Sequence, residues 1–231
     1  MSEECEYTPE HDYSKDYLTF KVLTPGTIMW RAVGGVSKTI EYSLNKGAWT
    51  SITSTADGVA INVVQEDSVR VRGSNSTYAT SNTAYSAFGG QNAGDGGTAT
   101  YDIEGNVMSL LYGDSFENVT DLTNTSYHFC SMFKYSGAVS AKNMILPALT
   151  LKIACYRALF SYATHLTEAP KLPATTLATY CYWYMFQGTA ISESPELNAQ
   201  TLVTQCYGGM FSACGSIHKI TCMAVNGFNA N

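Results

Sequence analysis

The sequence predicts a mainly β protein with short helices. A β-sandwich over residues 18–104 is followed by a solenoid of about four repeats over residues 105–231, and residues 1–17 form an acidic arm. Three observations carry this reading. One phrase of apolar and aromatic residues returns three times between positions 146 and 211. Short alternating segments separated by turn residues fill the region before it. The composition is 45% hydrophobic and only 14% charged, with 16 Tyr and 19 Gly, which suits strands and turns rather than long helices.

The arm comes first. Residues 1–17 contain Glu3, Glu4, Glu6, Glu10, Asp12 and Asp16 against the single base Lys15, so they hold −5 of the net charge of −6. Such a segment opposes a packed core and is expected to be mobile or ordered by a partner. The body is left close to neutral, which speaks against a nucleic-acid partner.

The strands of the sandwich follow from alternation. Residues 18–22 alternate, and Pro25-Gly26 makes a turn into residues 27–31. Residues 39–43 and 49–52 flank Asn45-Lys46-Gly47, a hairpin connection in which Gly47 is available for positive φ. Residues 59–64 and 68–72 flank Glu66-Asp67 and read as a second hairpin, with Arg70 and Arg72 on the wet face. The glycine-rich stretch 89–97 is a flexible loop, and residues 98–103 close the sandwich.

The repeats are the strongest signal. The phrase Leu-Pro-Ala-Thr-Thr-Leu-x-x-x-Cys-Tyr-x-x-Met-Phe stands at 172–186, with variants at 146–160 and 197–211 and a degenerate copy at 128–133. Cys155, Cys181 and Cys206 recur at spacings of 26 and 25, as do Phe160, Phe186 and Phe211. This period lies in the leucine-rich-repeat range, where inward side chains stack layer upon layer. The three Cys and three Phe are therefore expected to form a structural ladder. In each repeat the segment after the Phe should be a short strand (139–141, 166–169, 191–194, 217–221), and the Cys-Tyr segment a helical turn or two. Residues 106–111 open the solenoid, with Gly113-Asp114 as a turn and Phe116 as a plug.

Laid out in this way, the repeat resembles the BspA-like leucine-rich repeats of Bacteroidetes and their phages. The match is nearly letter for letter at 172–186, and residues 17–20, 40–49, 80–86 and 105–114 resemble the β-domain and joining segment that precede such repeats. The resemblance implies adhesion or recognition, with no common catalytic motif. It implies a virion fiber or decoration protein attached by its N-terminal region, or alternatively a bacterial cell-surface adhesin. A third reading makes the sandwich a carbohydrate-binding accessory module, with Trp30, Trp49 or Trp183 exposed on a flat face.

Chemistry is sparse. His11, His128, His165 and His218 have no nucleophile or acid at a motif spacing, and no Cys-x-x-Cys or His-x-x-x-His pair suggests a metal. No catalytic residue, cofactor or metal is expected. Glu168, Glu193 and Glu196 fall near neighbouring strands, where a pair could serve glycoside hydrolysis, but acids on the wet face of a solenoid are nearly always just solvated.

Binding has better candidates. Between Cys-Tyr and Met-Phe each repeat leaves two free positions, which stack into an outward stripe carrying Arg157, Trp183 and Tyr184. The competing reading folds Trp183 and Tyr184 down over the next repeat as covering hydrophobes. Glu168, Lys171, Glu193 and Glu196 form a second surface on the strand side. Partners are expected at residues 1–17 and at the C-terminal face, with a host surface protein or glycan on the repeats. The sequence shows no polar cap at its end, so either a larger assembly or homo-oligomer is expected to cover that face or the natural chain is longer. It shows no export leader, so either the protein is used without export or a leader has been removed. No apolar run reaches the roughly 20 residues of a membrane span.

Overall fold

The computed structural model describes residues 11–228. Residues 1–10 of the expected acidic arm lie outside them. Residues 11–17 fold onto the body. Asp12 caps a 3-10 turn at Tyr13–Lys15 by accepting from the Ser14 N–H. The Asp16 carbonyl accepts from the Asn106 N–H, and Tyr17 packs edge-on to Trp49 and against Phe116. These apolar and backbone contacts outweigh the solvation of two carboxylates.

The protein is mainly β, with two sheets. β1 (Leu18–Thr24), β2 (Gly26–Val33), β3 (Thr39–Leu44), β4 (Thr50–Thr53), β5 (Val59–Val63), β6 (Ser68–Arg72), β7 (Tyr85–Ala87), β8 (Thr100–Asn106) and β9 (Asn143–Ile145) are joined by one short helix, α1 (Ser109–Tyr112). The larger sheet has the order β4-β3-β6-β1-β8-β9 and the smaller β5-β2-β7. Alternation places Leu18, Phe20, Val22, Val69, Val71, Tyr101 and Ile103 on the inner face of one sheet. Ile28, Trp30, Ile61 and Val63 lie on the inner face of the other. Phe88 fills the space between, 4.8 Å from Phe20 and 4.7 Å from Trp30.

Four local expectations change. The β3–β4 hairpin forms, but Asn45 and Lys46 take the positive φ values rather than Gly47. β5 and β6 are not a hairpin: β5 pairs with β2 in the small sheet, while β6 pairs with β1 and β3 in the large one. The buried Asp67 turns the chain between sheets by accepting from the Val64 N–H and the Asn45 amide. Trp30 is fully buried and donates its indole N–H to the Lys38 carbonyl, so it offers no sugar-binding face. Residues 89–97 form a closed loop rather than a loose one, with Asp95 accepting from Gln91 and Asn92.

The second half is a set of superimposed turn layers at 127–136, 154–163, 180–189 and 205–214. They are not helical. Within a layer, alternate residues donate an N–H three residues back, as in Cys155→Lys152, Arg157→Ala154, Leu159→Tyr156 and Ser161→Ala158. The residues between them donate to the next layer: Ala154→Thr179, Tyr156→Cys181, Ala158→Trp183, Phe160→Met185 and Tyr162→Gln187. A helix would consume every N–H internally, whereas this ribbon reserves half of them for its neighbour. Positive φ recurs at every fourth residue: Tyr127, Ser131, Tyr135; Ala154, Ala158, Tyr162; Tyr180, Tyr184, Gly188; Gln205, Gly209, Ala213.

The strands expected after each Phe are also corrected. Only β9 is a strand, at Asn143–Ile145, parallel to β8 and four residues beyond the expected 139–141. Elsewhere neighbouring layers meet at isolated parallel bridges such as Ser140↔Glu168, Glu193↔Lys219 and Leu197↔Cys222. Pro170, Pro173 and Pro195 lack the N–H that would extend them. The apolar core is continuous from Leu18 to Met210. No helix among the described residues is long and apolar enough to cross a membrane.

Candidate recognition surface

The inward ladder defines which side chains are left for the outside. Phe133, Phe160, Phe186 and Phe211 stack with centroid spacings of 5.3, 5.9 and 5.9 Å and rings within 18° of parallel. A second column, Phe129, Tyr156, Tyr182 and Tyr207, repeats at 5.8 Å. Cys155, Cys181 and Cys206 are buried free thiols at equivalent places in their layers. Burial raises all three thiol pKa values, that of Cys181 to about 12, so they are protonated packing groups rather than nucleophiles. Among the described residues no group of three or more His, Cys, Asp or Glu could hold a metal.

The free pairs line up across layers as expected. The Ser131 N–H donates to the Arg157 carbonyl, Ala158 to Trp183, and Tyr184 to Gly208. Cys130 and Ser131, at the first layer, are buried; Cys130 packs with Val33, Ala79, Tyr85 and Ala87. Arg157, Trp183 and Tyr184 are brought together but are half-buried rather than standing free. The Arg157 guanidinium lies 4.1 Å over the Trp183 ring, and Trp183 stacks on Tyr184 at 4.9 Å. Tyr184 lies against Gly209 and Trp183 against Gly208. Any larger residue at 209 would meet the Tyr184 ring, and its φ of 58° already favours glycine. The rings therefore fold over the next layer, and all three residues stay partly exposed.

Tyr180 was missed by the sequence reading. It stacks on Trp183 at 4.8 Å and lies 5.8 Å beneath Arg157. It precedes Trp183 by three residues, the span of the turn bond in which the Trp183 N–H donates to the Tyr180 carbonyl. Charge is unevenly spread along the layers. Residues 122–167 contain Lys134, Lys142, Lys152 and Arg157 and no acid. Lys142 reaches Glu168, but Lys134, Lys152 and Arg157 have no carboxylate partner among the described residues. The Lys134 pKa is lowered, first by burial and then by the Arg157 charge.

On the strand side the acids are paired. Glu168 meets Lys142 at 3.1 Å, and Glu193 meets Lys219 at 2.9 Å with His218 at 3.8 Å. The Glu168 pKa is depressed by its hydrogen bonds to Ser140 and Lys142, and that of Glu193 by Lys219. Neither is the proton-holding carboxyl that a general acid requires. Lys171 and Glu196 sit instead on a shallow cleft of ≈ 400 Å³ walled by Pro170, Pro173 and Pro195. Trp49, the other tryptophan considered for sugar binding, is covered by Arg72 at 4.2 Å and Arg70 at 5.3 Å.

No family model, curated protein or solved structure matches the chain. The surface must be interpreted from its own chemistry.

Proposed function

We propose that this is a non-catalytic recognition protein, in which residues 105–231 form a short leucine-rich-repeat solenoid of the BspA-like type, presented by the preceding β-sandwich. One observation carries the reading: two aromatic columns run in register through four layers and take up the inward positions, so side chains are left to act only on the outside. The outside gathers Tyr180 and Trp183 around Arg157, which has no carboxylate partner among the described residues and has Lys134 near it. That chemistry suits an acidic surface, whether polysaccharide or protein, contacted by a protein of a phage-type virion or of a bacterial surface.

Binding of the purified chain to immobilised acidic and neutral polysaccharides tests the surface. Attachment to the acidic set should weaken at least about tenfold in Arg157→Ala and fall with salt. Equal attachment to both sets, or an unaltered Arg157→Ala variant, would discard this assignment of the site. Detection of the chain in purified particles rather than in the cell envelope of the producing bacterium separates the two locations.

A further inference from the structure

A second group of tyrosines lies away from Arg157, where the layers meet the β-domain. Tyr135 and Tyr162 hold the same place in the first two layers, and Gly188 holds it in the third. The two rings stack at 5.0 Å and 9° from parallel. A side chain at 188 would meet the Tyr162 ring at 2.6 Å, so that ring lies over the glycine. Both tyrosines are half-buried, and neither phenol hydroxyl has a hydrogen-bond partner among the described residues. Together with Ser136, Thr164 and His165 they line a cleft of ≈ 250 Å³, to which the loop before β8 adds the backbone of Gly94 and Gly97.

The cleft is preformed, because the loop and the first layer are clamped together. A Cβ at Gly96 would lie 2.6 Å from the Tyr135 carbonyl, and one at Gly137 would run into the Ala99 carbonyl. The Gly90 N–H donates to the Lys134 carbonyl at 2.9 Å, and that of Tyr101 to the Gly137 carbonyl at 3.1 Å. A ligand entering here would not have to order its own site, which lowers the cost of binding.

The lining is polar and uncharged. It contains no Asp, Glu, Lys or Arg. Asp95, in the same loop, is withheld: its carboxylate accepts from the Gln91 and Asn92 N–H groups and faces Arg31 at 4.0 Å. Burial and then Tyr162 raise the Tyr135 pKa, so that phenol remains a donor at neutral pH. Two phenols, the hydroxyls of Ser136 and Thr164 and the His165 imidazole can each donate and accept. An anion would find no cation here, and an apolar side chain would strand the polar groups. A ring bearing several hydroxyls satisfies them. The volume is below the roughly 300–1,000 Å³ of sites for drug-sized ligands, which limits the occupant to a single ring.

We propose that this cleft binds one neutral pyranose ring, at a site separate from the Arg157 surface. A lone ring in an open cleft binds in the millimolar range, too weakly to hold the chain on an immobilised polysaccharide. The two sites therefore stand or fall separately.

Amide chemical-shift mapping on the full chain tests this, with methyl glycosides of glucose, galactose, mannose and N-acetylglucosamine and with methyl glucuronide as the charged comparison. At least one neutral glycoside should move the signals of Gly94, Gly97, Gly137 and Thr164, with a Kd of about 1–10 mM. The Kd should rise at least about fivefold in a Tyr162→Phe, His165→Ala double variant, which removes two polar groups and keeps the stacked ring. Thr164→Val, at an exposed position, should weaken binding in the same direction, and Arg157→Ala should leave it unchanged. Absence of shifts at these residues with every neutral glycoside, or full affinity in the double variant and in Thr164→Val, would overturn the proposal. So would tighter binding of the glucuronide, or shifts centred on Trp183 and Tyr184 that Arg157→Ala abolishes.

Discussion

Replacing Phe186 by Ala gives the sharpest test of the layered packing, because its neighbours on both sides are known. Phe186 is fully buried, with Phe160 and Phe211 each at 5.9 Å. Removing a buried phenyl ring costs about 3–5 kcal/mol, and the two stacked pairs place this site toward the upper part of that range. Phe211, at the equivalent place in the last layer, is half-buried and has one ring neighbour, so Phe211→Ala should cost about half as much. Phe160→Ala, between Phe133 and Phe186, should resemble Phe186→Ala. Urea unfolding followed by intrinsic fluorescence reads all three. With m of about 2–3 kcal/mol per molar, Phe186→Ala should lower the midpoint by about 1.5–2 M and Phe211→Ala by less than about 1 M. A Phe211→Ala loss equal to that of Phe186→Ala would show that the last described layer is as enclosed as the inner ones. A Phe186→Ala loss below about 1 kcal/mol would refute the column itself.

Further outcomes follow from other sites. Burial holds the His128 pKa at about 4, below its ordinary 6.5, and Nε2 lies near the Thr123 carbonyl while Nδ1 is buried without a partner. The unfolded chain therefore binds the proton first, and stability should fall as pH drops from about 7 towards 4, by up to about 3 kcal/mol. Burial of Asp102 and Glu104, whose pKa values are raised, acts in the opposite sense at lower pH. His128→Gln should flatten that slope in urea titrations at pH 4.5 and 7; an unchanged slope would acquit the histidine. Gly188→Ala sets a side chain at φ 68° and 2.6 Å from the Tyr162 ring, so it should cost about 1–3 kcal/mol, with part of the loss recovered in a Tyr162→Ala background. With Cys5 replaced by Ser, one thiol, Cys222, should react promptly with a thiol reagent in the native protein, and the five buried ones only on unfolding. Prompt reaction of a second thiol would show that the ladder opens.

The sequence revealed the repeats because identical residues must meet identical neighbours, and spacings of 25–27 leave no alternative register for Phe160, Phe186 and Phe211. Strands β1 to β6 were legible from period-two alternation, which burial on one face enforces. What failed was local conformation. Of twelve positions with positive φ in the layers, only Gly188 and Gly209 are glycine. The others are Tyr, Ala, Ser and Gln, which carry no turn signal, and hydrogen bonds to the adjacent layer hold them there at a local cost of about 1–2 kcal/mol each. The spacing from Leu177 to Cys181 and from Tyr182 to Phe186 is four residues, which fits a helix and fits equally a ribbon repeating every four residues. Periodicity alone could not separate them. The pairing of β5 with β2 rather than β6 was likewise invisible, because the turn at Glu66-Asp67 looks the same whether the chain returns or crosses.

The candidate surface was legible only as a line of residues, and the reason bears on its function. Stacking fixes which outward pairs are neighbours but not where their side chains go. Trp183 and Tyr184 can lie flat because the next layer offers Gly208 and Gly209 beneath them. The four free pairs thus form a gradient rather than a repeat: Cys130-Ser131 is covered by the β-domain, Arg157-Ala158 supplies charge, Trp183-Tyr184 supplies rings, and Gly208-Gly209 supplies the floor. Each step depends on the one below it, so Gly209→Ala should disturb Tyr184 and, through the stacked rings, the seat of Arg157, two layers away. Binding to an acidic surface should then weaken in Gly209→Ala although the substituted position bears no side chain in the natural protein. If Gly209→Ala folds, keeps the Arg157–Trp183 contact by NMR and still loses binding, residue 209 itself is a contact. If it folds and binds normally with displaced rings, the rings are packing and Arg157 acts alone.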